Sequence, residues 1–275
     1  MIYLSGLSRR SAEDAPGEGA REFPFSLKLI AGLESVAFKT PVTFLVGENG
    51  SGKSTLLEGI AAGVGAVAMG GHDISRDPTL AAARRFAEGF YFQRRRHART
   101  RIFLRAEDVF GFTGRVMANM ASLAEDEREL SQSLPDGYGR MIATGAVAAQ
   151  RGALVGSYGE NPDGRSHGET FLALLKRRLV PDGLYLLDEP ETPLSPSRVL
   201  ALMSLLAEKV EDGCQFIIAT HSPILMAMPG AVILEAQADG LRPVEWGDIE
   251  HVRVMRAFLA NPQGVLAKLF ADEPS

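Results

Sequence analysis

The chain lacks the raw material for a disulfide, a membrane span or a global basic field. Its single cysteine, Cys214, excludes an intramolecular disulfide. Because Cys214 opens an apolar run, it reads as a small buried hydrophobe rather than a nucleophile. No stretch reaches the roughly 18 uninterrupted apolar residues of a membrane-spanning helix. The N-terminus, MIYLSGLSRR, has only a short apolar run with its arginines after it, the wrong order for a signal peptide. The cytoplasm is therefore the expected location. A formal net charge of −5 draws the chain neither to nucleic acid nor to a membrane surface. Heptads, internal repeats and low-complexity tracts are also missing. What is present suffices for a packed core: 275 residues, of which 45% are hydrophobic and 23% charged. That length allows one large domain or two small ones.

Apolar runs that suit strands alternate with runs that suit helices. Strands are expected at Ile2 to Leu7, Val42 to Val46, Leu184 to Leu187 and Gln215 to Ala219. Helices are expected at Thr55 to Met69, Arg115 to Ser131, Phe171 to Leu179, Pro196 to Val210 and Ile249 to Leu259. Four glycines between Gly59 and Gly70 weaken the first of these, whereas Ser195 supplies an N-cap for the fourth. Ala231 to Val244 reads as a hairpin turning at Asp239-Gly240. Phe23 to Phe38 suits strands or short helices; Ser8 to Glu22 and Gly137 to Gly164 read as loops. The alternation predicts an α/β fold, a mostly parallel sheet covered on both faces.

Gly47 to Ser54, GENGSGKS, fits G-x-x-x-x-G-K-[ST] between a strand and a helix. Chemistry explains the spacing. Gly47 and Gly52 permit backbone angles and a close approach that side chains would block. The main-chain amides of Asn49, Gly50, Ser51, Gly52 and Thr55 can then curl around a phosphate at a helix N-terminus. Lys53 would reach the β- and γ-phosphates, and Ser54 would place its hydroxyl on Mg²⁺. A second constellation, Asp188-Glu189, ends the buried run Leu184 to Leu187, which puts two acids at the carboxyl edge of the sheet. The first suits the Mg²⁺ shell and the second suits a general base for water. A third, His221, follows Gln215 to Thr220 and suits a γ-phosphate contact or proton relay. His72, His97 and His251 read as surface or packing residues.

In this order GENGSGKST, Ser166-His167-Gly168-Glu169, LYLLDEP and ATHS resemble the ABC class of P-loop ATPases, from Phe23 to about Leu234. Within it the chain is most similar to stand-alone bacterial AAA/ABC-type ATPases with an SHGE signature, related to the heads of DNA-repair and chromosome-maintenance ATPases. The resemblance implies one ATPase domain over residues 1–275. It would combine a parallel sheet, an antiparallel β part and a helical signature subdomain at about 72–170. It also implies ATP and Mg²⁺ as ligands, and a homodimer in which Ser166 and Gly168 of one copy touch the γ-phosphate held by the other. Four departures stand out. Arg165 replaces the signature's leucine, and His167 replaces its glycine. Leu194-Ser195 stands where Leu-Asp is usual. No glutamine follows the middle strand, where Glu107 reads either as its substitute or as a surface glutamate. For a ring against adenine the candidates are Phe23 and Phe25, both of which also suit the core.

Arg84, Arg85, Arg94, Arg95, Arg96, Arg99, Arg101 and Arg105 are interleaved with Phe90, Tyr91 and Phe92. The stretch suits a nucleic-acid backbone, with the rings stacking on bases. A solvated face, or pairing with the acidic run Glu125 to Glu129, is the favoured reading, and a partner protein is a further one. The expected function is Mg²⁺-dependent ATP hydrolysis that drives a conformational switch. Two alternatives are a transporter's nucleotide-binding subunit and an ATP-switched regulatory or nucleic-acid-binding protein with little hydrolysis.

Overall fold

The computed structural model describes residues 1–11, 22–68, 81–158 and 167–271. Ser166, Arg165, His72 and most of the Ser8 to Glu22 segment lie outside the described residues. In chain order the elements are β1 (Leu4–Arg9), α1 (Lys28–Gly32), β2 (Ser35–Ala37), β3 (Val42–Val46), α2 (Lys53–Val64) and β4 (Val67–Ala68). There follow α3 (Ala81–Glu88), β5 (Phe90–Arg94), β6 (Thr100–Arg105), α4 (Ala106–Ser133), α5 (Tyr138–Tyr158) and α6 (His167–Arg178). The remainder comprises β7 (Gly183–Asp188), α7 (Pro196–Glu211), β8 (Gln215–Ala219), α8 (Pro223–Met226), β9 (Val232–Gln237), β10 (Gly240–Pro243), α9 (Glu250–Ala260) and α10 (Pro262–Ala271).

Seven strands form the main sheet in the order β10-β9-β3-β8-β7-β6-β4. All its pairings are parallel except the β9-β10 hairpin at one edge. A separate antiparallel sheet has the order β2-β1-β5. Alternation along the strands divides the core into two layers. Phe44, Tyr185, Leu187, Phe216 and Ile218 pack with α6 and α7. Leu45, Leu184, Leu186, Ile217 and Leu234 pack on the opposite face with α2, α3 and the antiparallel sheet. Strands buried on both faces read as unbroken apolar runs, which is why β3, β7 and β8 are plain in the sequence.

The two sheets are stitched by one buried amide. Gln215 at the start of β8 accepts from the main-chain N–H groups of Tyr3 and Leu4 at 2.7 and 2.9 Å. It donates back to the Leu4 carbonyl at 2.8 Å. A polar side chain tolerates full burial when its bonds are met in this way.

Two expectations need correction. The helix after the phosphate loop stops at Val64, capped by Gly65 in the left-handed region (φ 67°), and the chain then enters β4. Its internal glycines serve packing: a Cβ on Gly59 would lie 2.3 Å from the Phe86 ring, and one on Gly63 would lie 2.0 Å from that of Phe92. The segment from Gly137 to Gly164 is no loop over its described part, since Tyr138–Tyr158 is helix α5. Its glycines at 139, 145, 152 and 156 face open space, so each costs only about 1 kcal/mol of propensity. Packing against α4 outweighs that cost, with Arg151 reaching Glu127 at 3.2 Å.

Candidate functional site

Three glycines of the loop after β3 occupy positive φ: Gly47 (139°), Gly50 (76°) and Gly52 (97°). At Gly47 a side chain would also crowd the Ala236 methyl at 3.1 Å. Only glycine lets the chain turn so tightly before α2 begins at Lys53. Lys53 is buried, and its ammonium donates to the loop's own Gly47 and Glu48 carbonyls at 2.8 and 2.7 Å and to Ser51 Oγ at 3.4 Å. Burial lowers its pKa, against the pull of Glu189 and Asp188.

Parallel pairing brings the other candidates to the same edge. The register Leu45↔Ala219 and Asp188↔Ala219 makes β3, β7 and β8 end level at the carboxyl side of the sheet. There Ser54 Oγ donates to Asp188 Oδ1 at 3.2 Å, across 134 residues of chain. Glu189 leaves the strand in the left-handed region, φ 47°, with its N–H on the Ala219 carbonyl at 2.9 Å. Positive φ in a residue other than glycine stores strain, a recurrent mark of functional sites. Its Oε1 lies 3.7 Å from His221 Nε2. Burial, then Lys53, lowers the His221 pKa, with Glu189 opposing, so the ring is neutral at pH 7. Asn49, Gly50, Gly52, Lys53, Ser54, Thr55, Glu189 and His221 line one open cleft of about 170 Å³, with Phe23 and Leu27 at its side.

Two AAA-domain models match the chain on either side of α5. One, described simply as an AAA domain, matches residues 25–132. The other, an AAA-domain model named after the AbiEii toxin of type IV TA systems, matches residues 169–227. The first therefore contains the phosphate loop, and the second the acids and His221. The chain is thus similar to AAA domains over both segments, and its fold is that of a P-loop NTPase. No curated protein sequence matches the chain. Among solved structures it is similar to the ADP form of an ABC transporter's ATP-binding cassette, at 16% identity over 99% of this chain and 100% of that one, TM-score 0.47. It is also similar to an Smc head domain from Pyrococcus furiosus bound to the C-terminal domain of ScpA (13%, 96% and 100%, TM-score 0.42). A third is a dimeric bacterial ABC transporter cassette (17%, 78% and 90%, TM-score 0.38).

Asp188 carries the clearest electrostatic signature of the site. Burial raises its pKa from 3.8 to about 6, opposed by the Ser54 hydrogen bond and reinforced by Glu189. A carboxyl whose pKa is higher folded than unfolded favours folding below about pH 4. That contribution is lost as pH rises through about 6. Above it, the ionised buried carboxylate costs the metal-free chain up to about 3 kcal/mol. Asp188→Asn should accordingly stabilise the chelator-treated protein at pH 7.5 by about 1–3 kcal/mol, read as a higher urea midpoint. An unchanged or lower midpoint would contradict the burial argument.

The remaining candidates divide. Gly168, near the start of α6, is buried where a Cβ would meet Arg198 and the Pro193 carbonyl at 3.0 Å. The neighbouring Glu169 pairs with Arg198 at 2.6 Å, so α6 docks on the loop that follows the two acids. Ser195 does occupy the N-cap position of α7, but its hydroxyl meets Ser197 Oγ at 3.1 Å instead of capping the helix. Glu107 begins α4 just beyond the β6 edge, and its side chain is outside the described set. Phe25 stacks on Phe90 with 6.5 Å between centroids, beneath the Arg9 guanidinium, as a core ring does. Phe23, expected in the core, is 48% exposed and lines the cleft.

The ion pairs of Arg85 and Arg105 lead away from the acidic run of α4. Arg85 pairs with Glu22, and Arg105 with Glu58. Arg94 donates to the Gly63 carbonyl at 2.6 Å. Thr100 is level with Gly183 at the start of parallel strands. Arg95, Arg96 and Arg99 therefore sit exposed at the amino edge, the side of the sheet opposite the phosphate loop.

Sequence reasoning passed over Glu191 and His251. Glu191 follows the acidic pair by two residues and bonds to the turn that carries His221. His251, read as surface or packing, has its ring 6.1 Å from that of His221. Burial, then His221 and Lys53, lower its pKa. The third acid of DEPE was the available signal for Glu191. His251 had none, because it arrives from α9, 30 residues downstream of His221.

Proposed function

We propose that the chain binds ATP with Mg²⁺ at Gly47 to Thr55 and hydrolyses it as an ATP-sandwiched homodimer, using the cycle as a conformational switch. The observation that carries this reading is the single cleft in which a phosphate loop faces Glu189 and His221. Loop amides and the Lys53 ammonium bind the phosphates, with Lys53 exchanging its Gly47 and Glu48 carbonyls for phosphate oxygens. Ser54 Oγ and Asp188 Oδ1, 3.2 Å apart, are two hard oxygens of the kind Mg²⁺ accepts beside phosphate and water. Among the described residues no cluster of three His, Cys, Asp or Glu side chains could hold a metal alone, which suits an ion shared with the nucleotide. Bound there, Mg²⁺ would neutralise charge on the phosphate oxygens. Glu189 orients the attacking water and takes its proton, and His221 Nε2 contacts the γ-phosphate. Phe23, at the side of the cleft, suits stacking on the base.

The docking of α6 on the loop at Pro193 favours the dimer reading: a second copy's Gly168 would be carried by an element tied to that copy's own acids. Turnover per subunit should therefore rise with protein concentration and reach a plateau. A rate per subunit that stays constant across a wide dilution series would rule out hydrolysis in trans.

A partner protein is supported by α9 and α10, which leave Val254, Leu259, Leu269 and Phe270 more than 60% exposed (62%, 68%, 65% and 68%). Nucleic acid is supported only by the amino-edge arginines. Among the described residues no helix is long and apolar enough to cross a membrane. A transporter subunit would then need a membrane partner.

A further inference from the structure

Among the described residues, the buried side-chain polar atoms with no hydrogen-bond partner are Glu191 Oε2, His221 Nε2 and His251 Nε2. Glu191 and His251 both adjoin His221, the proposed γ-phosphate contact. The other oxygen of Glu191 is fully engaged. Glu191 Oε1 accepts from the Thr220 hydroxyl at 2.6 Å, the His221 N–H at 2.7 Å and the Ser222 N–H at 3.1 Å. Thr220 Oγ1 in turn accepts from the Ser222 N–H at 3.0 Å, which closes a small ring of bonds. One carboxylate on the β7 loop thus grips three consecutive residues of the β8 loop.

We infer that Glu191 is a positioning residue for His221. It does not touch the reacting atoms; it fixes the main chain from which the His221 ring projects beside Glu189. The need is specific to this turn. The Ala219 carbonyl is taken by Glu189 N–H, and the Thr220 N–H by the Leu45 carbonyl at 3.2 Å, so the strand itself is anchored. One residue later the ladder has ended, and the N–H groups of His221 and Ser222 have Glu191 as their acceptor. Without it, two main-chain donors lose their bonds and the ring loses its fixed origin. Because the same loop begins with Asp188 and Glu189, the carboxylate also ties the proposed base to the proposed γ-phosphate contact. A displacement of about 1 Å at such a group is enough to cost up to about a hundredfold in rate.

This inference rests on the hydrolytic reading of the cleft, and its test is chosen to stand apart from it. Steady-state ATP turnover would be measured for wild type, Glu191→Ala and Glu191→Gln. Imidazole ¹⁵N NMR spectra of the same histidine-labelled proteins would be recorded, with His221 assigned through His221→Ala. Glu191→Ala should lower kcat about tenfold or more with KM within about twofold, and should shift or broaden the His221 ring signals. Glu191→Gln keeps the acceptor oxygen and should restore most of both. Unmoved His221 signals in Glu191→Ala, or a raised KM at unchanged kcat, would overturn the assignment. If Glu191→Ala does not fold, Thr220→Val and Glu191→Gln decide. The first, which removes one donor, should shift His221, and the second should leave it in place; the reverse pattern refutes the idea. A wild-type protein without ATP turnover would count against the hydrolytic reading alone, because the spectra still report on the clamp.

Discussion

Lys53→Ala should weaken binding of MgATP by about two to three orders of magnitude, equivalent to about 3–4 kcal/mol. The size follows from where the ammonium sits. Lys53 is 5% exposed, and its protons already point into the loop at the Gly47 and Glu48 carbonyls. A charge in that position meets phosphate oxygens with little water between them, where Coulomb attraction is far stronger than in solvent. The fold should survive the change. Burial opposes the charged form of this lysine, so removing it also removes a desolvation cost. Calorimetric titration with ATP and Mg²⁺ gives the affinity, and a thermal melt gives the control. An affinity within threefold of wild type, in a folded variant, would refute the placement of the phosphates.

Glu189→Gln should behave in the opposite way: binding persists while turnover falls by about 10²–10⁴. The amide keeps the size and hydrogen-bonding reach of the carboxylate but cannot accept a proton from water. Three features of Glu189 argue for this role. It sits in the left-handed region immediately after a strand, its carboxylate faces His221 at 3.7 Å, and it lies beside the buried Asp188. If turnover is blocked after binding, the nucleotide-bound dimer should accumulate, so gel filtration with MgATP should show a larger species for the variant than for wild type. Equal kcat values would exclude Glu189 as the base. A kcat already negligible in wild type and unchanged in the variant would instead favour a switch that scarcely hydrolyses.

Much of this architecture was legible in the residues. The strands Val42–Val46 and Gln215–Ala219 agree with expectation to the residue, and the expected hairpin forms between β9 and β10, its turn at Ala238-Asp239 one residue earlier than expected, with Gly240 opening β10. Each is local: a run buried on both faces, or a turn set by glycine. The misreadings are equally physical. Glycine reads as a breaker at 139–156, where a neighbouring helix outweighs propensity, and as a weakness at Gly59 and Gly63, where missing side chains admit Phe86 and Phe92.

The sequence alone determined the phosphate loop, the paired acids and His221 as candidates, because each is a short contiguous motif whose chemistry depends on its own backbone. Only the tertiary structure decided which of them meet. Ser54 reaches Asp188, Phe23 parts company with Phe25, and Glu191 takes hold of the His221 turn. Such relations depend on strand order and register in a parallel sheet, where neighbours in space are separated by whole helices in the chain. No local pattern encodes that distance.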